Sequence, residues 1–270
     1  MESFRASDGL TLRYVVDDYT DPWKPKEMLF LLHAAMGSSR RFYGWVPSLA
    51  RRFTLVRPDL RGHGMSDVPD NAQFSFNRLV QDVIDLADHL QCDRFHLAGS
   101  SAGAIIGMQA AIDHPERVRS LGCFAAAPGL KDTNVDPQKW IARIRAKGLR
   151  GFFEETIPER FPEGADPEFV RWFVEEASRT DADFLCRFVP AMHEVDLTPR
   201  LHEIGCPMLS VVPDSDPHIT LEQYKVVLYH VPQCRFVVYE ALQHNITDWV
   251  PERCAEELAQ FLRSSVMSDG

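Results

Sequence analysis

The chain has 270 residues, a formal net charge of -10 and a pI near 5.5. Its 45% hydrophobic and 25% charged residues suit one globular α/β domain, long enough to bury a sizeable core. The acidic balance argues against a nucleic-acid partner, which needs a clustered basic surface, and no apolar run approaches the roughly 20 residues that span a bilayer.

In chain order, Phe4 to Val16 alternates around Ser7-Asp8-Gly9, the signal of a hairpin at an antiparallel sheet edge. Met28 to Leu32 is an unbroken apolar run, as expected of a strand buried on both faces, and it leads into His33-Ala34-Ala35-Met36-Gly37. Helical spacing through Phe42, Trp45, Val46 and Leu49 precedes a strand from Phe53 to Val56. That strand ends at Arg57-Pro58 and Asp59-Leu60-Arg61-Gly62-His63-Gly64-Met65-Ser66-Asp67. A helix from about Ser75 to Leu90 delivers the chain to the apolar strand before Gly99-Ser100-Ser101-Ala102-Gly103.

That pentapeptide fits G-x-S-x-G, a sharp strand-to-helix turn that lifts a serine oxygen above the sheet edge. A side chain at either glycine would clash as the chain reverses, and the helix that follows turns its amides and positive dipole toward an anion above the serine. Val118 to Ala126 reads as another buried strand. From 129 to 201 the strand signal stops, and amphipathic stretches at Trp140 to Leu149, Gly151 to Ile157, Pro167 to Ser178 and Ala182 to Met192 predict four short helices. Inserted after a parallel strand, they predict a lid over the sheet's carboxyl edge. The strand Met208 to Val212, a helix near Leu221 to His230, the strand Arg235 to Tyr239 and a helix from Pro251 to Leu262 complete the chain. The expected division is a core of residues 1–128 and 202–270, built on a mostly parallel sheet, with a helical lid at 129–201.

Three motifs, in order, resemble the α/β-hydrolase fold superfamily. His33 to Gly37 stands where that family usually has a His-Gly oxyanion loop, Asp59 to Asp67 resembles its D-x-R-G-x-G-x-S turn, and Gly99 to Gly103 is its nucleophile elbow. Within the lid, Trp140-Ile141-Ala142-Arg143, the Phe152 to Phe161 helix, Arg179-Thr180-Asp181 and Glu194-Val195-Asp196-Leu197 are most similar to 3-oxoadipate enol-lactonases and their esterase relatives. Ala34 replaces the family's loop glycine and Ala104 its second elbow glycine, and both methyl groups are expected to crowd the site.

The resemblance implies a serine hydrolase with its triad in the order nucleophile, acid, histidine. Ser101 is the expected nucleophile, and the neighbouring Ser100 occupies the x position. His244, after the last strand in Ala241-Leu242-Gln243-His244-Asn245, is the expected base among ten histidines; His33 and His63 read as bracing their turns. Two carboxylates compete in Val212-Pro213-Asp214-Ser215-Asp216-Pro217-His218. Family spacing favours Asp216, leaving Asp214 as a turn-forming alternative. Backbone N–H groups of Ala35 and Ala102 would form the oxyanion hole.

Arg143 and Arg187 offer positive charge for a substrate carboxylate, although solvated helix faces account for them equally, and Trp140 and His218 are candidates for lining the pocket. No histidine and carboxylate set has metal-ligand spacing and no phosphate loop is present, so neither metal nor cofactor is expected. Six scattered cysteines without a C-x-x-C pair, and no leader pattern at Met1 to Asp8, point to a cytoplasmic protein with reduced thiols. The function implied is hydrolysis of a small ester or lactone through an acyl-enzyme, with no nucleic-acid or membrane partner and a homo-oligomer left open. Carbon-carbon hydrolases, amidases, thioesterases and cofactor-free perhydrolases share such a triad, and a ligand-sensing protein with slow turnover is the rival of another class. Relatives with an aspartate nucleophile are disfavoured by the serine at the elbow.

Overall fold

Eight strands form one sheet: β1 (Glu2–Arg5), β2 (Thr11–Asp17), β3 (Met28–Leu32), β4 (Thr54–Asp59), β5 (Phe95–Ser100), β6 (Val118–Phe124), β7 (Met208–Pro213) and β8 (Cys234–Tyr239). The computed structural model describes residues 1–266. The spatial order is β1-β2-β4-β3-β5-β6-β7-β8. The β1-β2 hairpin joins β4 antiparallel, and all pairings from β4 to β8 are parallel. Every residue of β4, β5 and β7 is buried, as parallel strands covered on both faces require.

Strand β4 runs three residues beyond the expected end at Val56. β3 pairs with it only as far as Val56, whereas β2 continues alongside, matching Arg57 with Val15, Pro58 with Tyr14 and Asp59 with Arg13. A strand end paired on one side accommodates a proline, which has no N–H to give to a second neighbour. The expected helix through Phe42 to Leu49 is a 3-10 helix, Ser39–Trp45, followed by one α turn, α1 (Val46–Leu49).

Helix α2 (Phe76–His89) is capped by Ser75 Oγ, which accepts from the Arg78 amide at 3.1 Å. Helix α3 (Ala102–Asp113) leaves the end of β5 and is buried along nearly its whole length. After β6 comes a helical insertion: α4 (Pro137–Thr156), α5 (Pro167–Ala177) and α6 (Ala182–His193). The first two of the four expected helices are one element here, α4, interrupted at Gly148 (φ +67°, ψ 173°). Asp136, Asp166 and Asp181 cap the three helices, accepting from the amides of Lys139, Glu168 and Phe184 at 3.0, 2.8 and 2.6 Å.

The ends of the insertion lie side by side at a bridge between Gly129 and Asp196, where the Leu197 amide donates to Pro128 O at 2.9 Å. Helix α7 (Leu221–His230) links β7 to β8, and α8 (Ile246–Trp249) and α9 (Pro251–Val266) follow. Among the described residues no helix is long and apolar enough to cross a membrane, and all six cysteines are free thiols.

Candidate active site

Ser101 stands between β5 and α3 with φ +50° and ψ -116°, a left-handed backbone that costs a residue with a side chain about 1–3 kcal/mol. Its surroundings impose that turn. The Ser101 amide donates to Phe124 O at 2.8 Å, fixing the elbow to the neighbouring strand. A Cβ on Gly99 would lie 2.4 Å from Gly103 C, and one on Gly103 would lie 2.3 Å from Leu32 O, so α3 sits against β3 and β5 with no room for a methyl group. Gly103→Ala should therefore destabilise the fold by about 3 kcal/mol or more in urea unfolding, because only backbone atoms could give way. Gly205→Ala, with no atom within 4 Å of its Cβ, is the matched control and should change stability by less than about 1 kcal/mol.

The loops after β7 and β8 bring two further groups to Ser101. His244 Nε2 lies 3.1 Å from Ser101 Oγ, and His244 Nδ1 lies 2.6 Å from Asp216 Oδ2. With Nδ1–H donating to the carboxylate, Nε2 is free to accept from the serine hydroxyl. The Asp216 side chain is buried and otherwise satisfied: Oδ1 accepts from the His218 amide at 2.8 Å, and Oδ2 also accepts from the Tyr224 hydroxyl. Burial raises the Asp216 pKa, but the charge and hydrogen bond of His244, the Tyr224 hydroxyl and the His218 amide outweigh it and hold it at about 2. Asp214 does not reach the histidine. Its carboxylate takes the Ala241 amide at 2.7 Å and the Ser215 hydroxyl at 2.8 Å, tying together the two loops that carry Asp216 and His244.

Ala35 and Ala102 both border the cavity above Ser101, and neither amide has a protein acceptor among the described residues. His33 braces the first of these loops. Its Nε2 accepts from the Leu60 amide at 3.0 Å while Nδ1 donates to Ala34 O at 2.8 Å, and burial lowers its pKa to about 4, so the ring is neutral. Ala34 lines the cavity as expected, but Ala104 does not. One turn into α3, it is fully buried in the hydrophobic core, so it leaves the pocket's width unchanged.

The space above Ser101, about 670 Å³ when counted out into open solvent, has mostly apolar walls, with Phe153, Val189 and Met192 contributed by the insertion. Trp140 and His218 line it. The His218 ring meets Trp140 and His244 edge to face, at centroid distances of 5.4 and 5.7 Å, and burial drives its pKa down to about 3. Arg143 and Arg187 do not border the cavity. Arg143 lies 3.4 Å from Glu155 and 3.6 Å from Glu159, and Arg187 donates to Asn71 Oδ1 and Pro69 O at 2.7 and 2.9 Å. The arginines that do border it are Arg41 and Arg160. Burial distinguishes them from solvated arginines, and no local pattern in the sequence signals it. Among the described residues no group of three or more His, Cys, Asp or Glu side chains is arranged to hold a metal ion.

The arrangement can carry a proton from a serine hydroxyl to an imidazole oriented by an ionised carboxylate, beside two free amides in an apolar cavity. A sequence model of the alpha/beta hydrolase family matches residues 29–261. The chain is 26% identical over 250 residues to 3-oxoadipate enol-lactonase 2 of Acinetobacter baylyi, a match covering 89% of this chain and 91% of that protein. It is 28% identical over 246 residues to the pimeloyl-[acyl-carrier protein] methyl ester esterase of Aeromonas hydrophila, covering 87% and 94%. Among solved structures, the enol-lactonase from Burkholderia xenovorans LB400 shares the fold with a TM-score of 0.88 over 97% of this chain and 100% of that one, at 20% identity.

Proposed function

This chain belongs to the alpha/beta hydrolase family, and from that premise we propose that it hydrolyses a small carboxylic ester or lactone through an acyl-enzyme on Ser101. The observation that carries the reading is the line from Ser101 Oγ to His244 Nε2 to Asp216, at 3.1 and 2.6 Å, opening into an apolar cavity. His244 takes the hydroxyl proton as Oγ attacks the carbonyl carbon, and Asp216 keeps the imidazole in the accepting tautomer and stabilises the imidazolium. The amides of Ala35 and Ala102 receive the oxyanion, where each such donor is worth about 10²- to 10³-fold in rate. His244 returns the proton to the leaving alkoxide, then activates the water that releases the acid.

The insertion at 129–201 serves as the lid, supplying one wall of the cavity and excluding bulk water from the serine. Two relatives matched along nearly their full length are named for a lactone and a methyl ester, which supports ester chemistry, while another matched as fully is named as a putative carbamate hydrolase, so the substrate panel includes carbamates and amides. The test is a panel of short-chain esters, lactones, carbamates and amides with intact-mass analysis of rapidly quenched reactions. The expected result is steady release of acid and a transient mass increase equal to the acyl group. Turnover of carbon-carbon, carbamate or amide substrates without any ester or lactone activity would sink the proposal.

A further inference from the structure

Among the described residues, three buried polar atoms without a hydrogen-bond partner, Arg160 Nη2, His218 Nε2 and Asn245 Oδ1, belong to residues that line the cavity over Ser101. Buried polar atoms are seldom left unpaired, so several around one cavity mark where the polar atoms of a ligand belong. Arg160 is the costliest of the three to leave alone, because it carries a charge. It is 7% exposed, and among the described residues its side chain makes one hydrogen bond, from Nε to Thr156 Oγ1 at 3.2 Å. Its guanidinium lies 5.0 Å from the Phe153 ring centre and 5.8 Å from that of Phe152.

The nearby carboxylates are committed to other cations. Asp248 is gripped through both oxygens by Arg41 and also accepts from Asn245 and Thr247. Glu159, next to Arg160 in the chain, faces Arg143 at 3.6 Å and His218 at 3.7 Å. Burial, reinforced by the positive charge of Arg41, lowers the Arg160 pKa to about 10, which leaves it cationic at neutral pH. Among the described residues, then, the Arg160 guanidinium borders the cavity as a cation with no carboxylate in ion-pair contact.

We propose that Arg160 sets the charge specificity of the pocket: the acid portion of the substrate bears a second carboxylate, free of the ester or lactone bond, that pairs with this guanidinium. The proposal rests on the hydrolase reading above and names its substrate class. A single unpaired cation among apolar walls balances one negative charge, and its planar fork matches the two oxygens of a carboxylate.

The test uses methyl half-esters of succinate, glutarate, adipate and pimelate, each beside its isosteric neutral ω-carboxamide. For the best-fitting length the wild type is expected to favour the carboxylate by about 10²-fold in kcat/KM, chiefly through KM. Arg160→Met should bring the ratio close to one, and Arg160→Lys, which keeps the charge without the fork, should retain part of it. A wild-type ratio near one at every length, or a preference that survives in Arg160→Met, overturns the proposal.

Calorimetric binding of the same diacids and their diamides to Ser101→Ala makes the comparison without turnover and without altering Arg160, so a misfolded Arg160→Met cannot leave the question open. Tighter binding of a diacid by a similar factor supports the proposal. Equal binding of diacid and diamide, or no diacid bound at any length, overturns it. Absence of hydrolysis by the wild type, with diacid still bound preferentially, would overturn the hydrolase reading alone.

Discussion

Ser101→Ala is expected to lower ester turnover by about 10⁵- to 10⁶-fold and to abolish the acyl adduct, while the melting temperature moves by less than about 3 °C. On the proposed mechanism the loss is large because the Ser101 hydroxyl, which faces His244 Nε2 at 3.1 Å, forms the covalent intermediate, and without it His244 has no proton to take. Stability is nearly unaffected because alanine bears the same left-handed backbone as serine, and Ser101 Oγ has one partner, His244. Ser101→Gly separates the two properties: equally inactive, it should be more stable by about 1 kcal/mol, since glycine adopts φ +50° without a steric cost. Stopped-assay rates, intact mass and thermal melts on the three proteins check the set. Turnover in Ser101→Ala within tenfold of the wild type would remove the serine from the mechanism.

Asp216→Asn should reduce kcat by about 10³- to 10⁴-fold, because an amide in that place no longer holds His244 with Nε2 unprotonated. Asp214→Asn should cost less than about tenfold, since Asp214 engages Ala241 and Ser215 and has no contact with the histidine. The two variants also differ with pH. The folded pKa of Asp216 lies below its ordinary 3.8, so its contribution to stability is present above that value and is lost as the pH falls through about 2. The gap in urea midpoint between wild type and Asp216→Asn should accordingly narrow over that window. If Asp214→Asn is the more damaging change, the acid has been assigned to the wrong residue.

How much of this is legible in the sequence depends on whether the signal is local. The elbow is legible because its two glycines answer to contacts with backbone a few residues away or on the adjoining strand. His244 is legible from its position after the last strand. Asp216 is harder: both carboxylates of its loop follow β7, and family spacing, rather than anything in the residues, favours the one that the structure places on His244. The charged lining of the cavity is not legible at all. Arg143 and Arg187 lie in amphipathic helical stretches and Arg160 follows one, and only the packing of the insertion on the core shows that the first two are engaged by polar partners away from the cavity while the third is buried against it without a carboxylate partner.

The same limit applies to regular structure. A 3-10 helix places Phe42 and Trp45 on one side as an α-helix would, so the spacing does not separate them. The three extra residues of β4 are hidden by Pro58, whose place in a strand depends on which neighbours pair with it.

The hydrogen bond between Ser101 and His244 joins positions 143 apart in the chain. The contact needs β7 and β8 in the sheet before it can form, so we expect it to be made after local contacts such as the turns of α3. During synthesis, the elbow and its helix leave the ribosome well before the base. Recovery of activity after dilution from denaturant thus reports completion of the sheet's far edge, and it should lag behind the recovery of helical signal.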